Sequence, residues 1–293
     1  MKIYFYQIML LLVIGIASLP DLAAQDNVRE NIPVASAIEP QQTEQPASTP
    51  SPESADPKLF RNYVELGGSY LPLSNNFGYW SGGYSRGSID QGKNVWFAEI
   101  NGQHEFEDAG VYFAVGDTYT ISDDWYAALT VGSSAGGFFW PRYRADAFIN
   151  KKWLGHKQWI TTLGYGFYAS KDVHRDDSFY VGTTYYFSKP WIVEEGIRFN
   201  ISNPGTVTSP SAFVAVTQGR NKQHYLTVRV GLGEEAYQLV GPTATINDFQ
   251  SQTVTVTWRK WMGRNWGLNL IGDFYHSPFY VKGGSTMGFF KEF

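Results

Sequence analysis

The chain has 293 residues, no cysteine, 49 aromatic residues, 30 glycines and a net charge of -4. The missing cysteine excludes a disulfide scaffold and a thiolate-ligated metal, and no stretch beyond residue 20 is long and apolar enough to be a membrane-spanning helix. All the net charge falls before residue 59, and the neutral remainder excludes nucleic acid as a partner, because phosphate binding needs an excess of Lys and Arg.

Residues 1–24 read as a secretory signal peptide: Lys2, the apolar run Ile3 to Ala17, the helix-breaking Pro20, and small residues at Ala23 and Ala24 before Gln25. The alternative is an uncleaved anchor, for which the apolar run is short. Residues 25–58 carry six acids, six prolines (Pro33, Pro40, Pro46, Pro50, Pro52, Pro57) and no aromatic residue. Such a segment buries too little apolar area to offset the entropy of ordering it, so it reads as a disordered tether.

Residues 59–293 hold 46 of the aromatics and 29 of the glycines, and apolar residues recur at every second position over segments of about ten. Leu226, Val228, Val230 and Leu232 alternate with Thr227, Arg229 and Gly231; Val254, Val256 and Trp258 alternate with Thr255, Thr257 and Arg259. A soluble β-sandwich alternates too, so other features must decide. Tryptophans crowd the segment ends, as in girdles at two membrane interfaces. Tight connections (Ser122–Asp124, Trp153–Lys157, Ser188–Pro190, Arg220–Lys222, Met262–Asn265) alternate with long ones, such as Asn203–Ser211 and Gly233–Phe249. The seven prolines of this region all read as connections. The chain stops on Phe293, after Met287 and Phe289 in alternation, like the C-terminal signal read by the barrel-assembly machinery, with Lys291 interrupting the pattern. These features predict an all-β, transmembrane antiparallel β-barrel of about 14 strands, 12 being the alternative, with both chain ends in the periplasm.

Two residues resist that pattern. Asp117 and Glu195 fall on apolar faces, where a midplane charge would cost a few kcal/mol. Either they lie near a rim or a bulge shifts the register.

The blocks Gly116–Tyr119, Gly136–Arg144, Asp146–Phe148, Asn150–Trp153 and Thr217–Arg220 resemble those of the YaiO family of outer-membrane β-barrels, over nearly all of residues 59–293. The resemblance implies a bacterial outer-membrane location, with membrane lipid and lipopolysaccharide as surroundings, and no catalytic mechanism. Some relatives are barrels placed after helical-repeat scaffolds in surface-polysaccharide export, and no such scaffold is visible here, which argues against an export role.

The polar faces carry Glu65, Glu99, Arg144, Asp146, Glu194, Arg198, Arg229, Arg259 and Asp273, a nearly balanced set expected to line a lumen, as a plug or as a solute path without strong ion selectivity. Asp172, His174 and Asp176 would share one side of an extended loop, a weak divalent-ion motif whose plainer reading is a solvated loop. Phe138, Phe139 and Trp140 read as part of the outer girdle; the alternatives are a loop folded into the mouth or a stacking platform for a glycan. His104, at the end of an apolar set with no evident serine partner, is the one hint of a lipid-modifying enzyme. The leading expectation is a non-catalytic, cofactor-free pore for a small solute or glycan. A closed structural barrel plugged by its charged interior is second, and a lipid-modifying enzyme third.

Overall fold

The computed structural model describes residues 62–153, 157–187, 190–241 and 244–293; the expected signal peptide and tether lie outside them. Fourteen strands run in chain order as β1 (Tyr63–Pro72), β2 (Tyr79–Gln91), β3 (Asn94–Glu105), β4 (Asp108–Thr120), β5 (Trp125–Gly136), β6 (Tyr143–Trp153), β7 (Trp159–Ala169), β8 (Arg175–Tyr186), β9 (Trp191–Asn203), β10 (Val207–Arg220), β11 (His224–Leu239), β12 (Thr245–Trp261), β13 (Trp266–His276) and β14 (Val281–Glu292). Each pairs antiparallel with its sequence neighbours. β1 closes on β14 through the register Tyr63↔Glu292 to Tyr70↔Ser285, so the sheet is a closed barrel with no free edge.

The period-two pattern becomes an inside and an outside. Leu66, Val115, Leu163 and Met287 are each more than half exposed on the outer surface. An apolar belt of that extent is stable only against hydrocarbon, which identifies the outside as the lipid face. The opposite positions, among them Glu65, Asp146, Asn150, Thr162 and Thr227, are buried inside.

Three expectations need correction. First, the tryptophans do not form two girdles. Trp96, Trp125, Trp153, Trp159, Trp191, Trp258 and Trp266 are all exposed, and all sit at the barrel end that holds both termini, the periplasmic end in the outer-membrane layout. The other rim carries tyrosines (Tyr70, Tyr79, Tyr143), while Trp80, Trp140 and Trp261 are buried. Second, the long connections are short. Residues 204–206 and 240–244 are all that remain of the two quoted above, because the strands continue their ladder past the membrane. At 16 and 17 residues, β11 and β12 exceed the roughly 9–11 that span a bilayer. A ladder satisfies backbone donors in water as well as in lipid, so nothing ends it at the interface. Third, Pro72 closes β1 and Pro210 lies within β10. Pro210 pairs only with Phe199 of β9, one residue beyond the last β10–β11 pair, Ser211↔Gly233, so no donor is required on that side.

Asp117 and Glu195 do face outward, in unbroken register with Leu129 and Val214. Both lie a few residues from periplasmic turns, at the rim rather than at a bulge, and the Asp117 carboxylate accepts a 2.5 Å hydrogen bond from Asn94. Lys291 is likewise at this rim and donates to Asn265 at 3.1 Å.

Candidate functional site in the barrel lumen

The periplasmic end of the lumen is floored by one carboxylate. Glu65 on β1 is fully buried and accepts from Tyr84 Oη (2.7 Å), Arg86 Nη2 (2.9 Å), Arg259 Nη1 (2.7 Å) and Asn269 Nδ2 (3.2 Å). Two glycines make this convergence possible. A Cβ on Gly67 would stand 2.5 Å from the Tyr84 ring, and one on Gly288 would stand 2.4 Å from Tyr84 Oη and 3.0 Å from Glu65 Oε1. Without side chains there, Tyr84 lies flat along the wall and reaches the carboxylate. Below, Arg259 stacks at 3.6 Å on Phe290, which packs with Tyr63 and Trp261. The interior ionisable residues are ordered by register: Glu65↔Arg86 and Arg86↔Glu99 are directly opposed on neighbouring strands, so charge alternates along one row.

Above the floor lies a cavity of about 480 Å³. Six of the nine expected lumen residues line it: Glu99, Arg144, Asp146, Arg198, Arg229 and Asp273. Glu65 and Arg259 belong to the floor, and Glu194 faces inward on β9. Arg144 grips Asp146 through Nε at 2.6 Å and Nη2 at 3.3 Å, Asp273 accepts from Thr255 at 2.9 Å, and Arg198 donates to Ser178 at 3.1 Å.

The outer end is narrowed by an aromatic cluster that includes Trp80, Phe106, Tyr237, Tyr275 and Tyr280. Lys282 sits 3.6 Å over Trp80, and Glu105 is buried beside them. The tip of β11 buries successive residues on both faces, Glu235 to Gln238; Gln238 donates to Tyr280 at 2.9 Å and Tyr237 packs 3.6 Å from the His174 ring. The β11–β12 hairpin therefore leans over the mouth to meet the β7–β8 and β13–β14 connections.

Phe139 and Trp140 do not form an outer girdle. Both are buried, and Trp140 stacks on the inward-facing Tyr112 at 5.0 Å and 13°. Their loop is folded into the mouth, held by Phe138 N donating to Asp108 (2.8 Å) and Lys171 Nζ to the Gly137 carbonyl (2.9 Å). Burial there pulls the Lys171 amine down from its ordinary value, against the opposing pull of Asp108. The Asp172, His174 and Asp176 trio does not converge. Asp176 is buried on the lumen wall, while Asp172 accepts from the Ser170 hydroxyl, the His174 amide at 2.9 Å and the His174 ring at 2.5 Å. Burial raises the Asp172 carboxyl, but these bonds outweigh it and hold it below the usual carboxylate range. No metal-binding cluster of His and acid residues occurs among the described residues. Phe293 is exposed one residue beyond β14, with its amide on the Asn62 carbonyl at 3.1 Å.

Sequence reading missed most of the partners. Tyr84, Arg86 and Asn269 complete the floor, but they can be found only from the register, and glycine-rich β2 shows little alternation. It also missed the partner of His104: Ser81 is directly opposed to it on the outer face. Among the described residues no hydrogen bond joins the two and no acid orients the ring, which stacks on Tyr79 at 5.3 Å, so the pair lacks the geometry of an activated nucleophile.

A closed fourteen-stranded barrel with an apolar belt outside and a charged, partly hollow lumen defines a transmembrane β-barrel of the outer-membrane class. The chain belongs to the YaiO membrane β-barrel family, whose model matches residues 61–238, so β12 to β14 lie beyond the matched region rather than within it as the resemblance suggested. No curated protein matches the sequence. Among solved structures, the chain is similar in fold to the CymD monoaromatic hydrocarbon channel (TM-score 0.58, 6% identity, covering 79% of this chain and 88% of that one). It is also similar to the P. putida toluene transporter TodX (0.54, 11%, 79% and 89%) and to a bacterial polysaccharide outer membrane secretin (0.50, 8%, 79% and 98%). At such identities the likeness concerns the fold alone.

Proposed function

We propose that this outer-membrane barrel is a passage protein for small polar solutes, non-catalytic, with a lumen chamber held between an aromatic outer lid and a charged inner floor. The observation that carries this reading is the cavity of about 480 Å³, lined at mid-depth by Arg, Asp, Ser and Thr side chains rather than packed with apolar ones. Two proteins of similar fold, the CymD monoaromatic hydrocarbon channel and the toluene transporter TodX, support passage. The Glu65 cluster is the feature that favours the second reading, a barrel kept shut by its own side chains.

Planar-bilayer conductance of the full-length protein separates the two. Discrete, stable current steps from the wild type, or from Glu65→Ala with its floor carboxylate removed, support passage. Silence from both proteins, with each shown to be folded by heat-modifiable gel mobility, leaves the closed barrel as the function.

A further inference from the structure

The periplasmic rim differs in charge from one side of the barrel to the other. From β2 to the β6–β7 turn its acids and bases are interspersed: Lys157 pairs with Asp124 at 3.3 Å, and Asp117 accepts from Asn94. The lipid-facing positions and turns from β10 to β14 carry Arg220, Lys222, His224, Lys260, Arg264 and Lys291 at this end and, among the described residues, no acid side chain. Glu292 faces inward, where it accepts from Trp261 at 3.2 Å and pairs with Lys222. Glu195, the outward acid of β9, is opposite Val214, six residues and so about 20 Å along the ladder from Arg220.

Three of these bases stand in one row. Register sets Arg220 opposite His224 and His224 opposite Lys260, on the outward faces of the adjacent strands β10, β11 and β12. Side chains so opposed start about 5 Å apart, and like charges in that relation destabilise a sheet. The His224 ring meets Gln218 at 3.3 Å, whereas the side chains of Arg220 and Lys260 make no hydrogen bond or ion pair among the described residues. The outward position next along the strands toward the bilayer is held by Leu226 and Trp258, opposed to each other and exposed. An exposed indole marks the boundary of hydrocarbon and water, so the basic row lies at the depth of the lipid phosphates. Beyond that boundary Val228, Val230 and Val256 present an exposed apolar wall to the acyl chains.

We propose that Arg220, His224 and Lys260 bind the head-group phosphate of an anionic phospholipid in the periplasm-facing leaflet. Arg220 and Lys260 are two strand spacings apart, about 10 Å, so their long side chains reach one phosphate held over His224. The guanidinium group supplies paired donors to the phosphate oxygens, and the ammonium group a compact charge. The phosphate relieves the repulsion within the row, and the acyl chains lie along the valines. The site is outside the lumen and independent of passage.

The test is native mass spectrometry of the full-length protein in detergent with equimolar phosphatidylglycerol and phosphatidylethanolamine of matched chains. The wild type should retain phosphatidylglycerol in preference by about fivefold or more, and the double variant Arg220→Gln, Lys260→Gln should lose that preference. The charge-matched control Lys93→Gln, Lys151→Gln, on the opposite side of the same rim, should keep it. Equal retention of the two lipids, an equal loss in the control, or a double variant that binds like the wild type while folded by heat-modifiable gel mobility overturns the proposal. Displacement of the lipid by an equal concentration of inorganic phosphate also overturns it, by assigning a free-phosphate site. Preferential retention of lipopolysaccharide does the same, by assigning the outer leaflet.

Discussion

Replacing Glu65 by Ala removes the acceptor on which four donors converge, two of them guanidinium groups that are 15% and 12% exposed. Hydrogen bonds to a charged group contribute roughly 1.5–3 kcal/mol each, and breaking a buried ion pair from one side costs about 3–5 kcal/mol. Arg86 keeps Glu99 as its opposite neighbour on β3, and the lumen above is open enough to hydrate part of the loss, so the lower end applies, about 3 kcal/mol. The measurement is urea unfolding of the refolded barrel in phospholipid vesicles, followed by tryptophan emission. A double-mutant cycle with Arg259→Ala should return a coupling of about 2 kcal/mol, because each single variant already forfeits the 2.7 Å bond. A destabilisation under about 1 kcal/mol, or a coupling indistinguishable from zero, would refute the idea that Glu65 organises the floor.

Gly288→Ala should destabilise the barrel by about 1–3 kcal/mol through its clash with Tyr84 Oη, and Tyr84→Phe should reduce that penalty by removing the nearest atom; an undiminished penalty in the Phe background points to a different clash. Because the chain has no cysteine, single thiols report sidedness cleanly: a small charged thiol reagent should label Thr257→Cys in the cavity wall and fail to label Val228→Cys on the lipid face of vesicle-embedded protein, and the reverse pattern would invert the assigned faces. Lipids brominated near the head group should quench tryptophan emission more than lipids brominated at the chain end, since the seven exposed indoles all sit at one rim; equal quenching would disperse them along the wall. Glu195→Leu should stabilise the barrel by up to about 1 kcal/mol, the interfacial value for an exposed charge, and a loss of stability would place Glu195 away from lipid.

The barrel was readable because two solvents act on one strand. Lipid outside and polar lumen inside write period two into Leu226 to Leu232 without help from distant residues, and the strand number followed. Strand ends were less legible. Past the membrane, residues such as Glu234 and Gln250 carry no solvent contrast, yet their backbone pairing continues. The tryptophan signal located the ends but not which end, because a residue's rim depends on the direction of its strand. The lumen charges could be named individually from alternation, while their grouping could not. Arg198 and Arg229 are two strands apart, Glu65 and Arg259 meet across β14 and β13, and only register sets those neighbours. Phe139 and Trp140 read as girdle because composition records that a residue is aromatic and not whether its loop folds inward.

The one-sided tryptophan belt has a mechanical consequence. Indoles prefer the zone between hydrocarbon and water and resist displacement in either direction, so seven at one rim act as a depth stop on the inner leaflet. The opposite rim carries the smaller tyrosines Tyr70, Tyr79 and Tyr143, a weaker stop than seven indoles, and its hairpins extend beyond them. Variation in the thickness of the bilayer or of the saccharide layer above it is therefore taken up at the outer surface, while the Glu65 floor keeps a constant height relative to the periplasm.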